Sequence, residues 1–294
     1  MAAELQHFRE VSVLNIRIKF QKYGVMKFVG HLDMMRFFQK AIRRAGIDIA
    51  YSEGYSPHQI MSFAAPLGVG VSSDGEYFDI EVSTSKSSEE AVHDLNQAMV
   101  EGISVLEYKK LPDTAKSAMS LVAAADYFIF EKPGYEPLFR SREELQEKIQ
   151  GFYENQEEIF ILKQTKKKEV EMNLKPLIYE MKLLDRNERN HPENEAADWG
   201  LFLKVCTGSS DNLKPELILE AFCRFCQADY NPFQFQIHRL EVYAKSDDVP
   251  VKGEKERERY LNYLKRLKQS YKEREETFPT FLPLGELGEN IENC

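Results

Sequence analysis

The sequence predicts an α+β protein of two tandem ferredoxin-like (βαββαβ) domains with a charged C-terminal helix. Three observations carry that expectation. Strand-like alternation and helix-like periodicity follow one another in the order β-α-β-β-α-β over 11–109, a similar order recurs after 120, and beyond Lys245 the composition turns to Lys, Arg and Glu. The expected divisions are 1–115, 120–245 and 246–294. A chain of 294 residues that is 43% hydrophobic and 12% aromatic has the apolar content for two packed cores.

Over 11–20, Val11, Val13, Ile16, Ile18 and Phe20 bracket Arg17 and Lys19, the pattern of a half-buried strand. Residues 31–45 space Leu32, Met35, Phe38 and Ile42 as a helix does, and Gly46 is the residue type that ends a helix in the left-handed conformation. A short strand over 47–51 is followed by a run over 60–63 that leads into a bend at Pro66, and a longer strand spans 76–82. Ser87 and Ser88 with Glu89 and Glu90 supply the hydroxyl cap and early acids of a second helix running to Met99, and a strand over 103–109 closes the unit.

In the second half the pattern predicts strands over 127–131, 159–163, 199–206 and 235–243, and helices over 142–153 and 215–228, the latter begun by Pro215. Residues 168–184 would pair with the sheet or bulge from it, and 185–198, rich in Asn, Glu and Arg, read as an inserted loop. The halves share a pattern and not residue identity. Over 253–277, Tyr260, Leu261, Leu264, Leu267 and Tyr271 draw one thin apolar stripe on a charged helix, able to dock on its own chain or on a partner. Residues 278–294 read as an extended tail.

The formal net charge of −9 argues against polyanion binding by the whole surface, so any such binding needs a local patch. One exists: Arg17, Lys19, Lys22, Lys27, Arg36, Lys40, Arg43 and Arg44 face Asp33 as the one acid between Arg17 and Arg44. Arg36, Lys40 and Arg43 or Arg44 share a helix face. With Tyr23 and Phe28 nearby, the set suits a phosphate backbone with rings to stack on splayed bases, so RNA is expected and DNA is not. The competing reading is a solvated helix face. Lys166, Lys167 and Lys168 read as a solubilising turn.

His31, Asp33, Arg36, Glu53, Ser56 and His58 lie in turn-rich sequence, where backbone position is fixed and functional groups are exposed. They are the candidate substrate-binding group; with Glu76 and Asp79 they could also form an acid/base or metal arrangement, against the alternative that Asp33 caps its helix and His31 bonds a carbonyl. No Gly-x-Ser-x-Gly, phosphate loop or dinucleotide fingerprint occurs, so catalytic residues are left unassigned and no metal or cofactor is expected. Cys206, Cys223, Cys226 and Cys294 are too few and uneven for a disulfide framework. Cys223 and Cys226 sit in an apolar helix pattern and read as core thiols. No charged start precedes an apolar run and no stretch reaches membrane length, so a cytoplasmic protein without membrane contact is expected.

Gly30-His31-Leu32-Asp33-x-x-Arg36, Ala41-x-Arg43-Arg44-Ala45-Gly46, Tyr51-Ser52-Glu53-Gly54-Tyr55-Ser56-Pro57-His58, Pro66-Leu67-x-Val69-Gly70-x-x-Ser73 and Glu76-Tyr77 resemble the radical SAM-linked protein family, DUF2344. The resemblance is strong over 16–82 and weaker beyond, where Lys168 to Met172 is similar to the family's central charged strand. It departs at Gly30, where the family carries Ser. The resemblance implies a partnership in trans with a radical SAM enzyme, and since no Cys-x3-Cys-x2-Cys occurs here, that partner would supply the radical chemistry. The resulting expectation is an accessory protein that binds RNA, transfer or ribosomal, for modification. Two rivals stand beside it: an RNA-processing or other hydrolytic enzyme using the His31/His58 region, and a structural adaptor that docks the partner without touching substrate.

Overall fold

The computed structural model describes residues 13–164, 169–185, 198–208, 211–248, 250–275 and 277–292. The lysine turn at 166–168, most of the expected insertion at 185–198, and Cys294 lie outside the described residues.

The first half runs β1 (Leu14–Lys22), α1 (His31–Arg44), β2 (Met61–Phe63), β3 (Ser72–Val82), α2 (Ser88–Gln97) and β4 (Ile103–Lys110). A short α3 (Ala118–Leu121) leads to β5 (Val122–Glu131), α4 (Arg142–Ile149), β6 (Phe160–Gln164), β7 (Glu169–Asn173), β8 (Ile178–Asp185), β9 (Trp199–Cys206), α5 (Pro215–Phe225) and β10 (Phe235–Lys245). The chain ends with α6 (Glu254–Glu273) and β11 (Phe281–Pro283). The protein is a mixed α/β structure.

One nine-stranded mixed sheet joins both halves in the order β4-β1-β3-β10-β5-β9-β8, with β2 beside β3 and β11 beside β10. The join is a short parallel pairing of β3 with β10, Ser72 opposite His238 and Ser73 opposite Arg239. Gly75 makes this approach possible: a Cβ there would lie 2.7 Å from the Glu241 backbone.

Each half covers its part of the sheet with its own helices. Ile16, Ile18, Phe20, Phe78 and Ile80 pack under Phe38 and Ile42 of α1 and Leu95 of α2. At its centre the Phe20 and Phe38 rings meet edge-on at 4.6 Å, and Phe63 stacks on Phe78 at 5.0 Å. In the second half Leu145 and Ile149 of α4 and Ile218 and Phe222 of α5 cover Ile129, Leu203 and Val205. Local signals set the helix ends as expected: Ser87 and Glu90 form a reciprocal capping box on α2, and Gly46 follows α1 at φ +68°.

Three expectations are corrected. The strand predicted over 47–51 forms only isolated bridges, Ile49 with Val82 and Tyr51 with Gln59, and β2 at Met61–Phe63 takes the place beside β3 instead. The strand predicted over 159–163 does not enter the main sheet; β6 pairs with β7 in a separate hairpin, and β8 takes the sheet position. A hairpin satisfies its backbone locally, and period-2 alternation does not say which neighbour a strand will choose. The C-terminal tail is also ordered. Beyond Phe278 the chain adds β11, then a 3-10 turn at Leu284–Leu287, and Glu289 bridges to Lys110. Leu284 is fully buried and Ile291 caps α2 by exchanging hydrogen bonds with Ser88, so this strap buries apolar surface. The stripe on α6 is used within the chain: Leu264 is buried and Tyr271 meets Phe278 of the strap edge-on. No helix among the described residues is long and apolar enough to cross a membrane.

Candidate functional site

The strand-to-helix switch between β1 and α1 divides the cationic stretch. Period-2 alternation turns Ile16, Ile18 and Phe20 into the core and Arg17 and Lys19 to the opposite face. That face is covered as well, by α3 and the C-terminal strap. Arg17, fully buried, forms a bidentate pair with Asp79, donating at 2.8 and 3.0 Å, and also donates to the Leu284 carbonyl. Asp79 in turn accepts from the Ala118 backbone amide at 2.7 Å.

Lys19 pairs with Glu241 at 2.6 Å, Lys22 donates to the Val29 carbonyl at 2.8 Å, and Lys27 donates to Gln236 at 3.0 Å. The single patch expected from Arg17 to Arg44 is therefore corrected. Arg17, Lys19 and Lys22 are consumed inside the protein, because β1 carries them to the seam between β3 and β10 and burial demands partners, while Lys27, on the 3-10 turn Gly24–Phe28, is half-buried against Gln236. Burial holds the Lys22 ammonium below the ordinary lysine range; Glu76 opposes that shift and Arg239 adds to it.

The cations of α1 remain outside. Arg36, Lys40, Arg43 and Arg44 are all exposed. Arg36 pairs with Asp33 one turn away at 3.0 Å, and Arg44 donates to the Ala98 carbonyl at 2.8 Å. Lys40 and Arg43 have no ion-pair partner among the described residues. A groove of about 510 Å³ between α1 and α2 is lined by Phe37, Lys40, Arg44 and Asp94.

The candidate substrate group stays dispersed. His31 lies edge-on to the Phe63 ring at 5.2 Å, and Asp33 is engaged by Arg36 while Gly30 occupies the helix cap. The excursion carrying Glu53, Ser56 and His58 is closed at its base, where the Ser52 amide donates to the His58 carbonyl and Ser52 Oγ lies 2.7 Å from His58 Nδ1. Gly54 turns its tip at φ +108°, and Glu53, Tyr55 and Ser56 face solvent. Among the described residues no three His, Cys, Asp or Glu side chains gather closely enough to hold a metal ion.

The densest chemistry lies at the seam. Arg239 is held by the Glu76 carboxylate through Nε at 2.9 Å and through Nη2, and donates to the Ala65 carbonyl at 2.6 Å. Tyr127 lies beside this guanidinium, and burial pushes its phenol above the usual range. His238 stands between Ser72 Oγ at Nδ1 and Asp74 at Nε2, both 2.9 Å away.

Serine, imidazole and carboxylate in line are the parts of a nucleophilic triad, yet Ser72 and His238 are both 0% exposed. The serine is closed to solvent in this structure, and the chain of bonds links β3 to β10. Beside the seam a cleft of about 450 Å³ opens between the halves, with Pro66 and Leu67 on one wall, Ile237 and Leu213 on the other, and Arg239 and Tyr127 facing it.

Sequence reading missed His238, Arg239 and Glu241. The available signal was four polar side chains, Gln236, His238, Arg239 and Glu241, in a strand otherwise apolar enough to be central.

These features define a mixed α/β protein with a charged internal seam and an exposed cationic helix. The chain belongs to DUF2344, described as an uncharacterized protein conserved in bacteria, whose family model matches residues 15–215. No curated protein matches the sequence. Two solved structures are similar at 12% identity. One is from the crystal structure of a Cbf5-Nop10-Gar1 complex, with TM-score 0.38, covering 77% of this chain and 48% of that one, so this chain spans about half its length. The other is an unknown protein from Galdieria sulphuraria, with TM-score 0.21, covering 77% of this chain and 97% of that one.

Proposed function

We propose that this protein is an accessory RNA-binding protein, built from two ferredoxin-like units fused edge to edge, that works beside a radical SAM enzyme. The observation that carries the RNA reading is the outer face of α1. Four exposed cations stand there in a chain of net charge −9, two of them without an ion-pair partner among the described residues. A phosphate backbone is the partner that releases counterions from such a row, and Phe37 in the adjoining groove offers a ring for an unstacked base. The two-unit reading is supported by strand order. Taken in chain order, β1, β2, β3 and β4 lie as 4-1-3-2, and β5, β8, β9 and β10 repeat that order.

The radical SAM partnership rests on the family resemblance of the residues between Gly30 and Tyr77. A docking place for a protein partner is supported by apolar exposure beside α1, where Val25, Phe28, Leu32 and Val69 are 60–77% exposed. The loop bearing Val69 is tied there by the Gly70 amide, which donates to the Lys27 carbonyl at 2.9 Å.

The test is RNA affinity as a function of salt, with Arg36→Glu, Lys40→Glu, Arg43→Glu and Arg44→Glu combined. Four phosphate contacts predict a log–log slope of about −3 for single-stranded RNA in the native protein, and loss of binding in the variant. Absence of binding in both proteins would overturn the RNA reading. Co-purification with a radical SAM protein, lost on Phe28→Asp with Leu32→Asp, tests the partnership.

A further inference from the structure

Apart from the seam and α1, the second half holds a separate cavity of about 270 Å³ beneath α4 and α5. Its wall is aromatic: Phe130, Phe139, Trp199, Phe222 and Phe235 line it, with Phe139 and Phe222 stacked at 5.6 Å. Two carboxylates, Glu131 and Asp198, line it as well.

The state of Glu131 gives the cavity its sign. It accepts from the Leu138 amide at 2.6 Å, the Phe139 amide at 3.3 Å and the Gln234 side chain at 2.6 Å. All three donors are neutral dipoles, and no cation pairs with Glu131 among the described residues. Its charge is felt nearby: beyond burial and the neighbouring Cys226, Glu131 adds to the upward shift of the Cys223 thiol, which stands at about 12. Carboxylates in salt-bridged sites of this protein are met by Arg or Lys, as Glu76 and Asp79 are. Here the carboxylate lines the same cavity as the aromatic rings, and ring faces and carboxylates attract the same ligand, a cation with an apolar body.

We propose that this cavity binds a small organic ammonium cation, seated among Phe139, Trp199 and Phe222 and balanced by Glu131. The rings contribute their negative faces and the carboxylate a full charge, so both the charge and the alkyl shell of the ligand are recognised. This site is independent of RNA binding on α1.

Trp199 is the one tryptophan of the chain, so its fluorescence reports on this cavity alone. The experiment titrates the full-length protein with choline and, separately, with 3,3-dimethylbutanol, its uncharged carbon isostere. The expected result is saturable quenching by choline at concentrations about tenfold lower than the alcohol requires. In Glu131→Gln, which keeps an acceptor oxygen for Leu138, that preference is expected to vanish while the thermal melt is retained. Linear quenching by choline without saturation, or equal response to both compounds, overturns the proposal. Should Glu131→Gln fail to fold, the choline and alcohol contrast in the native protein decides the matter.

Discussion

Two groups of cations lie within one stretch of chain and meet opposite fates. Arg17, Lys19 and Lys22 on β1 are drawn into the sheet and matched by Asp79, Glu241 and the Val29 carbonyl, whereas Lys40 and Arg43 on α1 face water. Local charge density is not a binding patch until secondary structure has sorted it. A strand sends alternate residues to opposite faces; when both faces are covered, every cation on it becomes internal. An amphipathic helix keeps its polar side outside.

The sharpest way to break this contrast is to remove one partner of a buried pair. Arg239→Met strands the Glu76 carboxylate inside the seam and is expected to cost about 3–5 kcal/mol by urea unfolding. Adding Glu76→Leu should recover most of that loss, because the isolated charge is then gone. No recovery would mean that Arg239 acts through its bond to the Ala65 carbonyl instead.

Gly75→Ala forces a Cβ against the Glu241 backbone at the same joint and is expected to cost about 1–3 kcal/mol. An unchanged unfolding midpoint would show that β3 and β10 have room to separate. Ser87→Ala, which removes the capping box of α2 far from the seam, should cost about 1 kcal/mol.

The pH response of Lys22 sharpens the picture from the other side. Its folded-state pKa lies below the unfolded value, so the native protein releases this proton first, and the penalty of burying the charge is relieved as pH rises from the folded pKa toward the ordinary lysine value of 10.5. Stability of the native protein relative to Lys22→Met should therefore improve as pH rises toward 10.5. A difference that stays constant across that window would show that Lys22 is not desolvated. At the small end, Arg43→Ala on α1 is expected to change stability by no more than about 0.5 kcal/mol.

Much of the fold was legible because it is locally encoded. The periodicity of 31–45 and Gly46 locate α1, the Ser87 and Glu90 pair locates the start of α2, and Pro215 opens α5. What escaped is non-local. The pairing of Ser72 with His238 joins residues more than 160 positions apart, and nothing in either strand's alternation names the other. The hairpin of β6 with β7 and the strap from Phe278 onward failed for a related reason: a short apolar run does not disclose which surface it will cover. The same limit governed the site. His31, Asp33 and His58 are neighbours in sequence, yet each found a separate local partner, while the charged cluster formed by β3 and β10 was assembled by topology.

The most direct measurement is the affinity of the protein for a labelled structured RNA, with Lys40→Glu and Arg43→Glu combined, alongside the urea unfolding curve of the same variant. Affinity is expected to fall by at least about tenfold while the unfolding midpoint stays within error of the native protein, because neither side chain has an ion-pair partner among the described residues. Undiminished affinity in a variant of native stability would contradict this and remove α1 from the binding surface.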